Sequence, residues 1–253
     1  CDTAAGCLVV WHEVSGKTAD GGGVILGRSF DRSGSPSSPI LVLGGDAGAS
    51  ALTPSVGTDA LGNAVVAWAQ VSPETVGFDI FARRFGPDGR TLGGQFRVNL
   101  DPAGDQLEPV VSVNAAGDFA VAWVRQPEPG TTPQGELGVF GRLYGSSGAP
   151  LSGDIEVAVP IDLHTPVEPE VEVDDQLAVT VSYAMADDEG VGQGVVYRTF
   201  HPSETPRREA FLPGVAHLPG YNDTQWRTDA EVCNPSPAPV SYDLAFLAAE
   251  QAN

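Results

Sequence analysis

Along residues 1–212 the apolar positions fall into short runs. Some alternate with polar residues; others are filled by Val, Ala, Ile and aromatic side chains, with Gly, Pro, Asn and Asp between them. Alternation predicts a strand with one wet face, and a short filled run bounded by turn residues predicts a strand buried on both faces. The runs recur. A Val-rich run closing on an aromatic appears as CLVVWHE around Trp11, AVVAWAQ around Trp68 and FAVAWVR around Trp123, and as LAVTVSY with Val181 taken in the Trp position. A second motif is VILGRSF (24–30), IFARRF (80–85), VFGRLY (139–144) and VVYRTF (195–200). It places Arg28, Arg83, Arg142 and Arg198 at intervals of 55, 59 and 56 residues. A third, Pro-x-Val, begins at Pro54, Pro109 and Pro169.

Three landmarks in register over four units predict a repeat architecture. Within the third unit, strands are expected at about 109–114, 118–125, 137–144 and 154–159. The turn NAAGD closes a tight hairpin between the first two, because Asn114, Gly117 and Asp118 tolerate positive φ. Units of four short antiparallel strands read as propeller blades. The expected fold is all-β: a partial β-propeller of about three and a half four-stranded antiparallel blades, followed by an incomplete β-sandwich hairpin. Blade two is expected over 54–99, blade three over 109–159 and blade four over 168–212. The first blade lacks its inner strand, which suggests further blades upstream. The repeat stops near residue 212. A Pro/Gly linker (213–224) and the truncated start of a β-sandwich (225–253) follow.

Side chains alternate across a strand, so Phe81, Arg83 and Phe85 share one face and Ile80 and Ala82 the other. The repeated Arg therefore lies between bulky residues on a face that the neighbouring blade should cover. A buried guanidinium needs acceptors or a ring to stack on. The second-strand Trp (Trp11, Trp68, Trp123) is the expected ring, which makes Arg28, Arg83, Arg142 and Arg198 structural rather than substrate-binding groups.

Composition narrows the partners. Thirteen basic residues face 33 acidic ones, a net charge of −20. That field repels phosphate backbones and anionic lipid, so nucleic acid is disfavoured as a partner. No apolar run is long enough to span a membrane. Gly (31) and Pro (21) are abundant, which suits many turns and few long helices. Cys1 and Cys7 flank DTAAG and stand within reach of a disulfide across a short turn, or remain as two thiols; Cys233 has no evident partner. No Cys or His spacing suggests zinc.

The repeat resembles a family of bacterial extracellular β-propeller repeats. It is best seen over 54–99, in Pro54, Trp68, Asp79-Ile80, Arg83, Phe85, Gly89, Phe96 and Val98-Asn99. The segment GYNDTQWRTDAEVCNPS resembles the start of a β-sandwich found in secreted bacterial proteins. The resemblance implies a fold and an extracellular or cell-surface location, and it carries no catalytic set. No sialidase-type Asp-box, no GxSxG elbow and no Ser/His/Asp set is present; His12, His164, His201 and His217 are scattered. Acidic clusters at Asp187-Asp188-Glu189 and Asp174-Asp175 raise calcium, but lack the spacing of a calcium loop and read better as solvated turns. No cofactor is expected.

The main functional expectation is a non-catalytic, secreted or surface propeller that binds a protein or glycan, or serves as a scaffold. Its recognition surface would be the variable loops between strands two and three. The alternative is a polysaccharide-acting glycoside hydrolase with carboxylates at the channel mouth. Asp59, Asn114 and Asp174, which end the inner strands, are its candidate positions, although a turn role accounts for each.

Overall fold

The computed structural model describes residues 7–14, 23–45, 50–72, 77–126, 137–158, 165–186 and 193–201. The chain divides into two compact units, Cys1–Phe211 and Leu212–Asn253. The second unit, with the expected linker and β-sandwich start, lies outside the described residues. So do most of the loops between strands two and three, including Asp187-Asp188-Glu189.

The described part of the first unit is four antiparallel sheets, with no helix among the described residues. Blade one is β1 (Cys7–Val14), β2 (Gly23–Phe30) and β3 (Leu41–Gly44). Blade two is β4 (Ala51–Thr58), β5 (Ala64–Val71), β6 (Phe78–Phe85) and β7 (Phe96–Arg97). Blade three is β8 (Asp105–Val113), β9 (Phe119–Gln126), β10 (Gly138–Tyr144) and β11 (Ile155–Ala158). Blade four is β12 (Thr165–Val173), β13 (Val179–Ala186) and β14 (Gln193–Phe200). Each strand pairs only with its neighbours in sequence, the meander of a propeller blade. The inner strands β4, β8 and β12 lie next to one another from blade to blade.

The register corrects one assignment. Val9, Val66, Val121 and Val181 each stand opposite the repeated arginine of the next strand. Two residues further on come Trp11, Trp68, Trp123 and Tyr183. Tyr183, not Val181, therefore holds the Trp position in blade four.

Three apolar clusters fill the contacts between consecutive blades. Ile25 and Leu43 of blade one meet Val66, Trp68 and Phe85 of blade two. Ile80 and Val98 meet Val121, Trp123 and Tyr144. Val139 and Val157 meet Val181, Tyr183 and Phe200. Alternation assigns each middle strand to two clusters: Phe81 and Phe85 face blade one, and Ile80 and Ala82 face blade three. Each large side chain so buried contributes about 1.5–3 kcal/mol. Approach between blades is close. A Cβ on Gly44 would lie 2.5 Å from Cζ2 of Trp68, so only glycine lets the indole lie against the preceding blade's outer strand.

The inner strands start earlier than the sequence suggests, at Ala51, Asp105 and Thr165 rather than at or beside the prolines. A proline without an N–H is expected at a strand's first residue. Here the ladder instead runs through a bulge at the same place in each blade. The register shifts between Leu52 and Ser55, between Leu107 and Val110, and between Val167 and Glu170. The proline sits in the bulge, where no ladder donor is needed.

Candidate functional site

The three bulges line one cavity of about 320 Å³. Its wall is Thr53, Pro54 and Ser55 of β4, Glu108, Pro109 and Val110 of β8, and Glu168, Pro169 and Glu170 of β12. The residue before each proline is left-handed: Thr53 at φ 49°, Glu108 at φ 53° and Glu168 at φ 51°. That conformation costs a non-glycine residue roughly 1–2 kcal/mol, and a following proline disfavours helical backbone further. Such strain persists where the surroundings over-determine it, and it collects at functional positions. Here Pro109 and Pro169 are buried, while Thr53, Glu108 and Glu168 are turned out to solvent. Glu170 is also exposed, and no basic side chain lines the wall. Between these strands, Ser55 Oγ accepts from Val111 N at 3.1 Å and Ser112 Oγ from Val173 N at 3.2 Å. The wall thus offers carboxylate and hydroxyl oxygens at a repeated spacing. Among the described residues, no three His, Cys, Asp or Glu side chains come together as metal ligands.

The three positions weighed from sequence lie elsewhere, in the hairpin turns. Asp59 Oδ1 accepts from the amides of Leu61 (2.9 Å) and Asn63 (2.8 Å). Asn114 Oδ1 accepts from those of Ala116 (3.1 Å) and Asp118 (2.9 Å), and Asp174 Oδ1 from those of Gln176 and Ala178 (2.8 Å each). These are Asx turns closed by a positive-φ residue: Gly62 (82°), Gly117 (90°) and, unusually, Leu177 (65°). Asn114 Nδ2 also donates to Asp174 O at 3.0 Å, and Ala115 N to Asp175 Oδ1 at 3.2 Å, tying the turns of blades three and four together.

The repeated arginines reach across to the preceding blade. Arg83 Nη1 donates to Leu43 O at 3.3 Å, and Arg142 Nη1 to Val98 O at 2.6 Å. Arg198 Nη1 donates to Val157 O, and to Glu156 O at 2.8 Å. Leu43 and Val157, in the outer strands, and Val98, just after β7, occupy one repeat position. On the other side, Nε of Arg28 and Arg142 donates to Ser38 O (3.0 Å) and Ser152 O (3.1 Å). In blade two Gly93, at φ 114°, takes the place of those serines, and Arg83 Nε has no acceptor.

For Arg28 and Arg142 the ring beside the guanidinium is not the expected tryptophan. Arg142 lies 5.3 Å from the Tyr144 ring and Arg28 6.0 Å from Phe30, each two residues on along its own strand face. The indoles are held otherwise: Trp68 Nε1 donates to Gln70 Oε1 at 2.9 Å and Trp123 Nε1 to Gln106 Oε1 at 2.8 Å. Trp11 is half-buried. The stacked cation is Arg125, 4.1 Å over the Phe140 ring and paired with Asp101 at 3.1 Å. Tyr144 donates its hydroxyl to Val98 O at 3.2 Å, and burial pushes its phenol well above the usual range. Exposed Asp31 is held below the usual carboxylate range, chiefly by the Ser33 hydroxyl, in another turn.

Cys7 is disulfide-bonded; Cys1 and Cys233 lie outside the described residues. His12 is exposed and His201 half-buried, and His164 and His217 lie outside the described residues. Glu108 and Glu168 carry no sequence signal of their own, since each directly precedes the proline of a Pro-x-Val. The signal was the shared x-Pro step at the start of each Pro-x-Val.

No family model and no curated protein matches the chain. Solved structures with a similar chain path include the Hadza microbial sialidase Hz136, at 15% identity and a TM-score of 0.46 over 73% of this chain and 46% of that one. Native Bacillus subtilis arabinanase Arb43A has 12% identity and a TM-score of 0.44, over 70% and 64%. An exo-1,5-alpha-L-arabinanase from a bovine ruminal metagenomic library has 11% identity and a TM-score of 0.46, over 81% and 74%. The chain spans less than half of the sialidase structure and under two thirds of Arb43A.

Proposed function

We propose that this propeller recognises a polysaccharide and holds a sugar chain in the inner-strand cavity. The observation that carries the reading is the placement of Thr53, Glu108 and Glu168 at one repeat position, each exposed at the rim of one open cavity beside its bulge proline. Carboxylate oxygens accept paired hydrogen bonds from neighbouring sugar hydroxyls, a hydroxyl side chain does the same more weakly, and proline rings give an apolar wall for sugar C–H groups. A net charge of −20 and a rim whose charged groups are all acidic turn away anionic glycans, so the class is neutral or ammonium-bearing polysaccharide. The repeated arginines, with Trp11, Trp68 and Trp123, belong to the scaffold in this reading. A disulfide at Cys7 suits an oxidising compartment, and we place the protein outside the cytosol or on the cell surface. The test is a glycan array probed with the full chain and with a Glu108→Gln/Glu168→Gln variant. Binding to neutral or cationic glycans that the variant loses supports the reading. An empty array, or binding that the variant retains in full, contradicts it.

Hydrolysis is the second reading, because three carboxylates, Glu108, Glu168 and Glu170, share the cavity and glycoside cleavage uses a pair. All three side chains are exposed, whereas a general acid is usually set in a more apolar enclosure. Release of reducing ends from a bound polysaccharide, abolished by Glu108→Gln or Glu168→Gln alone, would establish cleavage. Unchanged polymer after prolonged incubation leaves binding as the function.

A further inference from the structure

Blade two departs from blades one and three at one serine. In blade one, Ser38 gives two oxygens to the strand beside it: its carbonyl accepts from Arg28 Nε at 3.0 Å and its hydroxyl from Ser29 N at 2.9 Å. In blade three, Ser152 does the same for Arg142 Nε at 3.1 Å and Leu143 N at 3.0 Å. Each serine lies 10 residues after its arginine. The residue at that place in blade two is Gly93, at φ 114°. The two donors remain. Arg83 Nε is buried and no protein atom accepts from it. Arg84 N points the same way as its own carbonyl, which accepts from Leu92 N at 2.7 Å. It therefore faces the Gly93 segment, as Ser29 N and Leu143 N face their serines.

A buried acceptor joins them. Phe81 pairs with Arg97 and Ala82 with Phe96, a register that sets Arg83 opposite Gln95. Gln95 Oε1 is buried and no protein atom donates to it. There is also room: a Cβ built on Gly93 or on Gly94 meets no atom within 4 Å beyond its chain neighbours.

We infer that blade two holds one ordered water in place of the serine oxygens, accepting from Arg83 Nε and Arg84 N and donating to Gln95 Oε1. The hydrogen-bond count selects the ligand. Two donors and one acceptor suit a molecule that both accepts and donates, and a buried water typically makes about three such bonds. An anion would take both donors but has no proton for Gln95 Oε1, and the chain's net charge of −20 opposes it. The water steadies the guanidinium with the longest reach across a blade contact, Arg83 Nη1 to Leu43 O at 3.3 Å, against 2.6 Å for Arg142 Nη1 to Val98 O.

The experiment has two arms, both on the full chain. A crystal structure that orders waters should show one at about 2.7–3.2 Å from all three atoms. In solution, the Arg83 Nε proton and the Arg84 amide proton should show cross-relaxation with water of the sign given by a long-lived bound molecule. The Arg142 Nε proton, which Ser152 O accepts, should show none. Gly93→Ser restores the serine of the other blades and should abolish the signal at Arg83; the wild-type results decide the point even where that variant fails to fold. A direct bond from Arg83 Nε to Gln95 Oε1 or to the Gly93 carbonyl overturns the inference. So does a peak that soaked bromide replaces, which would identify an anion, or an Arg83 Nε proton without the water signal, or a signal that Gly93→Ser leaves unchanged.

Discussion

Replacing Arg142 by alanine tests how one blade holds the next. The change removes donor bonds to Val98 O at 2.6 Å and Ser152 O at 3.1 Å, together with the contact to the Tyr144 ring. Hydrogen bonds from a charged donor contribute about 1.5–3 kcal/mol each. The full sum does not apply. Val98 O keeps the Tyr144 hydroxyl at 3.2 Å, and Ser152 O is only part-buried, open to water. A loss of about 3 kcal/mol is therefore expected, from the lower end of that range. Arg142→Lys keeps the charge but has one ammonium in place of the fork, so it should lose about half as much. Urea unfolding followed by tryptophan fluorescence reads the effect directly, because buried Trp123 lies in the same contact. A stack of repeats can lose cooperativity, so an early separate transition of blades three and four counts as the same loss. An Arg142→Ala protein within about 0.5 kcal/mol of wild type, the range of ordinary surface changes, would refute the reasoning.

Three further outcomes follow from the same contacts. Gly44→Ala puts a methyl group 2.5 Å from the Trp68 ring and should cost about 1–3 kcal/mol, seen as a lowered melting temperature. Gln106→Leu leaves the buried Trp123 indole N–H without its acceptor and should cost about 1–3 kcal/mol by urea titration; Trp123→Phe in the same background should recover part of it. Tyr144 has a phenol whose pKa is raised by folding from its ordinary 10.0, so its contribution is fully present below about pH 10 and is lost as pH rises further. Wild-type stability should fall above that point by up to about 1.4 kcal/mol per pH unit more than that of Tyr144→Phe; parallel pH profiles would contradict this.

How much of this was legible in the sequence depended on whether the partner has a signature there. The blades were legible because strand alternation is strict: Phe81, Arg83 and Phe85 had to share a face, and they do. The turn role of Asp59 and Asn114 was legible because Asx residues before glycine close hairpins by a local rule, and Asp174 was legible by its equivalent repeat position, although Leu177 stands where the glycine would. The acceptors of Arg83, Arg142 and Arg198 were not legible, because they are main-chain carbonyls, which every residue carries. Tyr183 was passed over for Val181 because motif spacing was read without strand register. Glu108 and Glu168 were hidden by proline. Its missing N–H argued for a strand start, and a bulge that carries the ladder past it, while turning the preceding residue outward, cannot be told from a loop by composition.

The central claim is that Arg83, Arg142 and Arg198 are each clamped by the backbone of the preceding blade. Arginine side-chain nitrogen NMR tests this most directly. The account predicts slowly exchanging, resolved Nη protons for Arg142 and Arg198, with a coupling across the hydrogen bond from Arg142 Nη to the Val98 carbonyl carbon. Exposed Arg90 should show a single averaged signal. Averaged, fast-exchanging signals from Arg142 and Arg198 alike would contradict it.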